Sequence, residues 1–187
     1  MMEEVNMALE EAKEQMDNAL AHLKTELLKI RAGKANPSML DSVKVDYYGT
    51  MTPLKQVSNI STPDARTLQV QPWEKAMLDP ISTGIINSNL GLNPQSNGDV
   101  IMINVPAPTE ERRKELAKMA KAASEHAKVS IRTARKDAND FIKSAEKDGL
   151  SEDMAKTAEG KVQDITNDYV KKADDILAQK ERDIMTI

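Results

Sequence analysis

The chain has 187 residues, 30% of them charged, with a net charge of −4 and no cysteine, so disulfides, zinc–thiolate sites and thiol catalysis are excluded and a reducing compartment, by default the cytoplasm, is expected. No apolar run approaches the roughly 20 residues needed to span a bilayer, and the stretch from Met1 to Leu9 lacks the basic start and apolar block of a secretion signal, so a soluble, untargeted protein without membrane contact is expected. The length allows one large or two small domains, either able to bury a core unaided.

From Val5 to Ile30 the apolar positions Val5, Leu9, Ala12, Met16, Ala19, Leu23, Leu27 and Ile30 recur at threes and fours, which predicts a long amphipathic helix. Its start is acidic (Glu3, Glu4, Glu10, Glu11, Glu14, Asp17) and its end basic (Lys24, Lys29, Arg31, Lys34), with Gly33 as the expected stop.

The texture then changes. All eight prolines lie between Pro37 and Pro108, and five of the seven glycines between Gly33 and Gly98. Proline breaks helix interiors, so residues 32–107 read as a separate, inserted domain. Val43–Tyr47, Val57–Ser61, Thr67–Gln71 and Val100–Asn104 have strand-like length and composition. Turns are expected at Tyr48-Gly49, at Thr62-Pro63-Asp64 and at Asn97-Gly98. Asp79-Pro80 reads as a cap and first turn of a short helix running to about Ser88. The insert is predicted to be a small β/α/β unit.

Thr109 follows as a candidate cap for a helix of nearly forty residues ending at Gly149. Leu116, Ala120, Ala123, Ala127, Ile131, Ala134, Ala138, Ile142 and Ala145 form its apolar stripe. Between Arg112 and Lys136 it carries nine basic residues against Glu115 and Glu125, a surplus of seven in a chain of net charge −4. Such segregation points to a polyanion. Ser151 then restarts a third helix with apolar positions Met154, Ala158, Val162, Ile165, Tyr169, Ala173, Ile176 and Ile184.

The insert leaves near Arg31 and returns near Pro108, which makes the second long helix antiparallel to the first, and the short Gly149-Leu150 link makes the third antiparallel to the second. The result is an antiparallel three-helix bundle from residues 1–31 and 108–187, a fold of the α+β class once the insert is added. The stripe averages about 3.6 residues per step, which favours a compact monomeric bundle over a dimeric coiled coil. The first helix's basic end is then expected beside the basic half of the second, as one positive surface.

Catalytic signals are thin. His22 and His126 sit on different helices without ligand spacing, Gly33-Lys34 lacks the remainder of a phosphate loop, and no GxGxxG or GxSxG occurs, so no enzyme, metal or cofactor is expected. On a helical wheel Lys121, Lys128, Arg132 and Arg135 fall within roughly 60° of one another, flanking the apolar stripe. Five aromatic residues (Tyr47, Tyr48, Trp73, Phe141, Tyr169) stand apart from this row, which argues for phosphate and shape recognition of structured RNA or a duplex rather than stacking on single strands. A solvated basic face, or a helical adaptor that binds protein, is the alternative. Salt dependence separates them.

Ile30-Arg31-Ala32-Gly33-Lys34-Ala35 with Pro37, Val45-Asp46-Tyr47-Tyr48-Gly49-Thr50, Asn89-Leu90-Gly91-Leu92-Asn93-Pro94, Pro108-Thr109-Glu110-Glu111-Arg112-Arg113 and Ile131-Arg132-Thr133-Ala134-Arg135-Lys136-Asp137-Ala138 together resemble bacterial ribosome recycling factor over essentially the whole chain. The resemblance implies a near L-shaped, tRNA-like outline and two hinge strands, matched by Ala32, Gly33, Lys34, Ala35 and Asn36 and by Val105, Pro106, Ala107 and Pro108. It implies binding to large-subunit ribosomal RNA of the post-termination ribosome and subunit separation with elongation factor G and GTP hydrolysis. The family's RNA-contacting arginines match Arg31, Arg132 and Arg135, with lysine at Lys34 and Lys136 where arginine is usual.

Overall fold

The computed structural model describes residues 1–30 and 33–186. They fall into two compact units, Met1–Ala32 with Glu110–Ile187, and Gly33–Thr109.

The first unit is a bundle of α1 (Met2–Lys29), α4 (Glu110–Lys147) and α5 (Glu152–Met185), numbered with the short helices of the insert. Val5, Leu9 and Ala12 of α1 pack with Ile142 and Ala145 of α4 and with Ala155 and Ala158 of α5. At the other end Leu23 and Leu27 pack with Leu116 and Ala120 and with Ile184. Thus α4 runs antiparallel to both neighbours. Its 38 residues give a rod of about 57 Å. Alanine at positions 120, 127, 134 and 138 of its stripe lets the partner helices approach closely.

Two stripe positions differ from the sequence reading. On α4, Ser124 is fully buried while Ala123 is half-buried. On α5, Met154 is exposed and Ala155 takes the inward position, in step with Ala158, Val162, Thr166, Tyr169 and Ala173. Thr166 remains satisfied because its hydroxyl donates to the Val162 carbonyl at 2.7 Å.

Helix ends follow local chemistry. At the end of α4, the Leu150 N–H reaches the Ala145 carbonyl and the Gly149 N–H reaches Glu146, closing the last turn through Gly149 at φ +113°, with Leu150 buried beside Ala145. Ser151 caps α5 by accepting from the Met154 N–H at 3.3 Å. By contrast, α1 stops at Lys29, where Ile30 turns extended, ahead of the expected Gly33.

The second unit holds two antiparallel sheets. β1 (Lys44–Tyr47) pairs with β2 (Thr50–Pro53), and β3 (Ser58–Asp64), β4 (Thr67–Pro72), β5 (Pro94–Asn97) and β6 (Val100–Asn104) assemble in the order β3-β4-β6-β5. Between them run the one-turn α2 (Leu54–Val57) and α3 (Leu78–Asn87). Leu68 and Val70 of β4, Ile101 and Ile103 of β6, Val45 of β1, and Ile81 and Ile85 of α3 are fully buried in one core.

Two expectations are corrected here. Thr62-Pro63-Asp64 is strand, carried past a bulge after Ser61, because β3 is an edge strand that tolerates a proline without a donor. The turn follows it, where Asp64 accepts from the Arg66 N–H and the Thr67 hydroxyl, contacts that hold its carboxyl below the usual range. Asp79 is not the cap of α3: the helix starts at Leu78 out of a 3-10 turn over Lys75–Met77, and Asp79 and Pro80 lie in its first turn.

Candidate nucleic-acid interface

The stripe of α4 faces its partner helices, so residues about half a turn away face solvent. Lys121, Arg132 and Lys136 are exposed and Arg135 is half-buried. At about 100° per residue Lys121 and Arg132 differ by only about 20° around the helix and stand about 16 Å apart along it. Among the described residues, Lys121, Arg132, Arg135 and Lys136 have no carboxylate within ion-pair distance. Nearer the helix start, two basic residues are engaged instead, Arg112 with Glu115 at 2.8 Å and Lys114 with Glu110 at 3.4 Å. These exposed pairs contribute little to stability but locally cancel charge.

Lys128 behaves differently from its neighbours on the wheel. Its ammonium sits 2.5 Å from Asp174 of α5 and 3.6 Å from Glu125, and its side chain is only 14% exposed. The hydrogen bond to Asp174 holds it above the ordinary lysine value. Lys128 is a strut between α4 and α5.

The opposite flank of α4 carries a pairing that sequence reasoning missed. His22 of α1 and His126 of α4 lie with ring centroids 6.2 Å apart, tilted by 54°, and both are exposed. Glu26 lies near them, its carboxyl lowered chiefly by the hydrogen bond from Lys29, with smaller help from both histidines. Their positions on different helices give no hint of this pairing, which depends on the antiparallel register that sets them level. The positive side chains therefore occupy more than the single surface expected: Lys128 turns to α5, while Lys29 lies by the histidines where α1 meets α4.

In the second unit, the segments expected to form a hinge are partly anchored. The Ala35 N–H donates to Ala65 at 2.8 Å and the Val105 N–H to Arg66 at 2.7 Å, adjacent carbonyls at the β3–β4 turn. Asn36 caps the 3-10 turn over Pro37–Leu40 by accepting from the Ser38 N–H. Val105 is buried, whereas Pro106 and Ala107 are exposed. Gly33, at φ +77°, lies so close to Pro108 that a Cβ there would sit 2.4 Å from the proline Cδ. Lys34 is exposed. Arg31 and Ala32 lie outside the described residues.

No group of three or more metal-ligating side chains occurs among the described residues, and none of their helices is long and apolar enough to cross a membrane. Residues 23–185 match the family model described as ribosome recycling factor. The chain belongs to the ribosome recycling factor family. It is 56% identical over 187 residues to the ribosome-recycling factor of Flavobacterium johnsoniae and 49% identical over 186 residues to that of Bacteroides thetaiotaomicron, with all of each chain covered. A solution structure of the ribosome recycling factor superposes with a TM-score of 0.69 at 33% identity, covering all of both chains. A second match is to models of the T. thermophilus ribosome recycling factor and E. coli elongation factor G bound to the E. coli post-termination complex, with a TM-score of 0.59, 40% identity, and 97% and 98% of the two chains covered. Membership in this family makes the chain a translation factor and not an enzyme.

Proposed function

We propose that the chain acts in the cytoplasm as a monomer, binds post-termination ribosomes through the outer face of α4, and with elongation factor G and GTP hydrolysis promotes separation of the subunits. The observation that carries the reading is the row Lys121, Arg132, Arg135 and Lys136, positive side chains without internal carboxylate partners on one long helix. Such a row offers guanidinium forks and ammonium groups to phosphates at fixed spacing, as a structured ribosomal RNA of the large subunit requires. Arg31 and Lys34 join this set on the strength of the sequence. Lys128 serves it indirectly, by fixing α4 against α5.

In this reading residues 1–31 and 108–187 hold the ribosome while 32–107 move as a unit. Because Ala35, Asn36 and Val105 are tied to the β-sheet unit, the pivot narrows among the described residues to 33–34 and 106–108, where Gly33 and Pro108 abut. The test is a subunit-splitting assay with elongation factor G and GTP. Arg132→Glu, on an exposed position, is expected to leave helix content unchanged and to abolish splitting; undiminished splitting would remove α4 from the interface.

A further inference from the structure

The Tyr47-Tyr48-Gly49 run lies in the second unit and is no part of the basic row on α4, yet it is built in an unusual way. Tyr48 and Gly49 join β1 to β2 as the two central residues of a tight hairpin, at φ +48° and +88°. Asn or Asp normally fills the first of these positions, because a bulky side chain in the left-handed region crowds its own backbone. Tyrosine gains no burial there, since it is 74% exposed. What it gains is a fixed position. Its hydroxyl donates to Glu74 Oε2 at 2.7 Å while that of Tyr47 donates to Oε1 at 2.8 Å, and the two rings stand edge to face, 4.7 Å between centroids.

Glu74 is thus an exposed carboxylate held in place by two phenols. Those hydrogen bonds, Tyr48's first, keep its carboxyl below the ordinary range. The adjacent cation, Lys75, is paired with Asp99 at 2.9 Å, and among the described residues no cation reaches Glu74. Each carboxylate oxygen still has a lone pair to offer. Trp73, next in the chain and 67% exposed, adds aromatic surface.

A fixed negative carboxylate bordered by aromatic rings matches a guanidinium, which can donate two parallel N–H groups to the oxygens and lay its plane on a ring. It repels phosphate, so a nucleic-acid backbone does not fit. We propose that Tyr47, Tyr48 and Glu74 form a recognition site for an arginine side chain of a protein partner. The partner is sought in the recycling reaction, which rests on the function proposed above.

Since the chain lacks cysteine, Thr50→Cys gives a single attachment point on the exposed residue paired with Tyr47, and it can carry a benzophenone maleimide. The labelled full chain is irradiated with post-termination ribosomes, elongation factor G and GTP, and co-sedimentation in the same sample verifies ribosome binding. The expected product is a cross-link to a protein, at a peptide containing arginine, whose yield falls at least tenfold in the Glu74→Gln background, where the tyrosine hydroxyls keep an acceptor but the charge is gone. Tyr48→Ala, which keeps the carboxylate and removes a ring, is expected to lower it as well. A cross-link to ribosomal RNA, no cross-link from a ribosome-bound chain, or a yield indifferent to both substitutions would overturn the proposal. Loss of co-sedimentation itself would instead contradict the function proposed above.

Discussion

Tyr169 offers a sharp test of how the bundle is held together. Its ring is buried on α5 and its hydroxyl donates to Asp17 of α1 at 2.6 Å, linking two helices that share no short connection. Burial first, and then that hydrogen bond, push its pKa up to about 12. At neutral pH, Tyr169→Phe removes one hydrogen bond to a charged acceptor; since Asp17 is exposed and regains water, the cost is about 1–1.5 kcal/mol. The pH dependence gives the stronger test. A raised folded-state pKa means the folded chain keeps a proton that the unfolded chain releases near pH ~10, so the tyrosine's advantage is complete below that value and declines toward pH 12. At pH ~11 the decline amounts to about 1.4 kcal/mol, enough to cancel the advantage over phenylalanine. Urea unfolding followed by helix ellipticity at pH 7, 9, 10 and 11 measures both, and the paired comparison removes the titration of lysines common to the two proteins. Equal stability at pH 7, or a difference that stays constant through pH 11, would refute the argument.

Two further substitutions test local geometry. Gly33→Ala places a Cβ 2.4 Å from Pro108 Cδ at φ +77°, which is expected to cost ~2 kcal/mol and to raise hydrogen exchange at the Ala35 and Val105 amides about thirtyfold; unchanged protection would contradict the close packing of these segments. Ser151→Ala removes the cap of α5 at about 1 kcal/mol, seen as a thermal midpoint lower by roughly 2–4 °C, while Ser151→Asp, which can also cap, is expected to hold the midpoint. A midpoint unmoved by Ser151→Ala would show that the cap bond is not made in solution.

The three helices were legible because alanine and branched aliphatic residues recur at helical spacing for up to 38 residues, long enough for the period to outweigh single exceptions. The exceptions were polar or flexible: Ser124 is buried though its composition suggests solvent, and Met154 is exposed though it is apolar. The β unit was read less fully for a physical reason. β2 (Thr-Met-Thr-Pro) and β5 (Pro-Gln-Ser-Asn) have little apolar alternation, since both lie at sheet edges and expose most of their residues. They exist because the Tyr48-Gly49 and Gly98-Asp99 turns fold the chain back onto a better strand, which is information about pairing and not about composition. The site was legible as a list of cations but not as a surface. Nothing in the spacing of Lys121, Lys128, Arg132 and Arg135 separates the two exposed ones from the one that Asp174 engages, because that distinction depends on what α5 places opposite each.

That distinction is where the account of α4 is most exposed to measurement. Ribosome affinity determined over a series of salt concentrations gives a slope that counts the phosphates neutralised. The account predicts that Arg132→Gln lowers this slope by about one, whereas Lys128→Met, which removes an equal charge from a side chain already paired with Asp174, leaves it unchanged. A slope untouched by Arg132→Gln, or reduced as much by Lys128→Met, would contradict it.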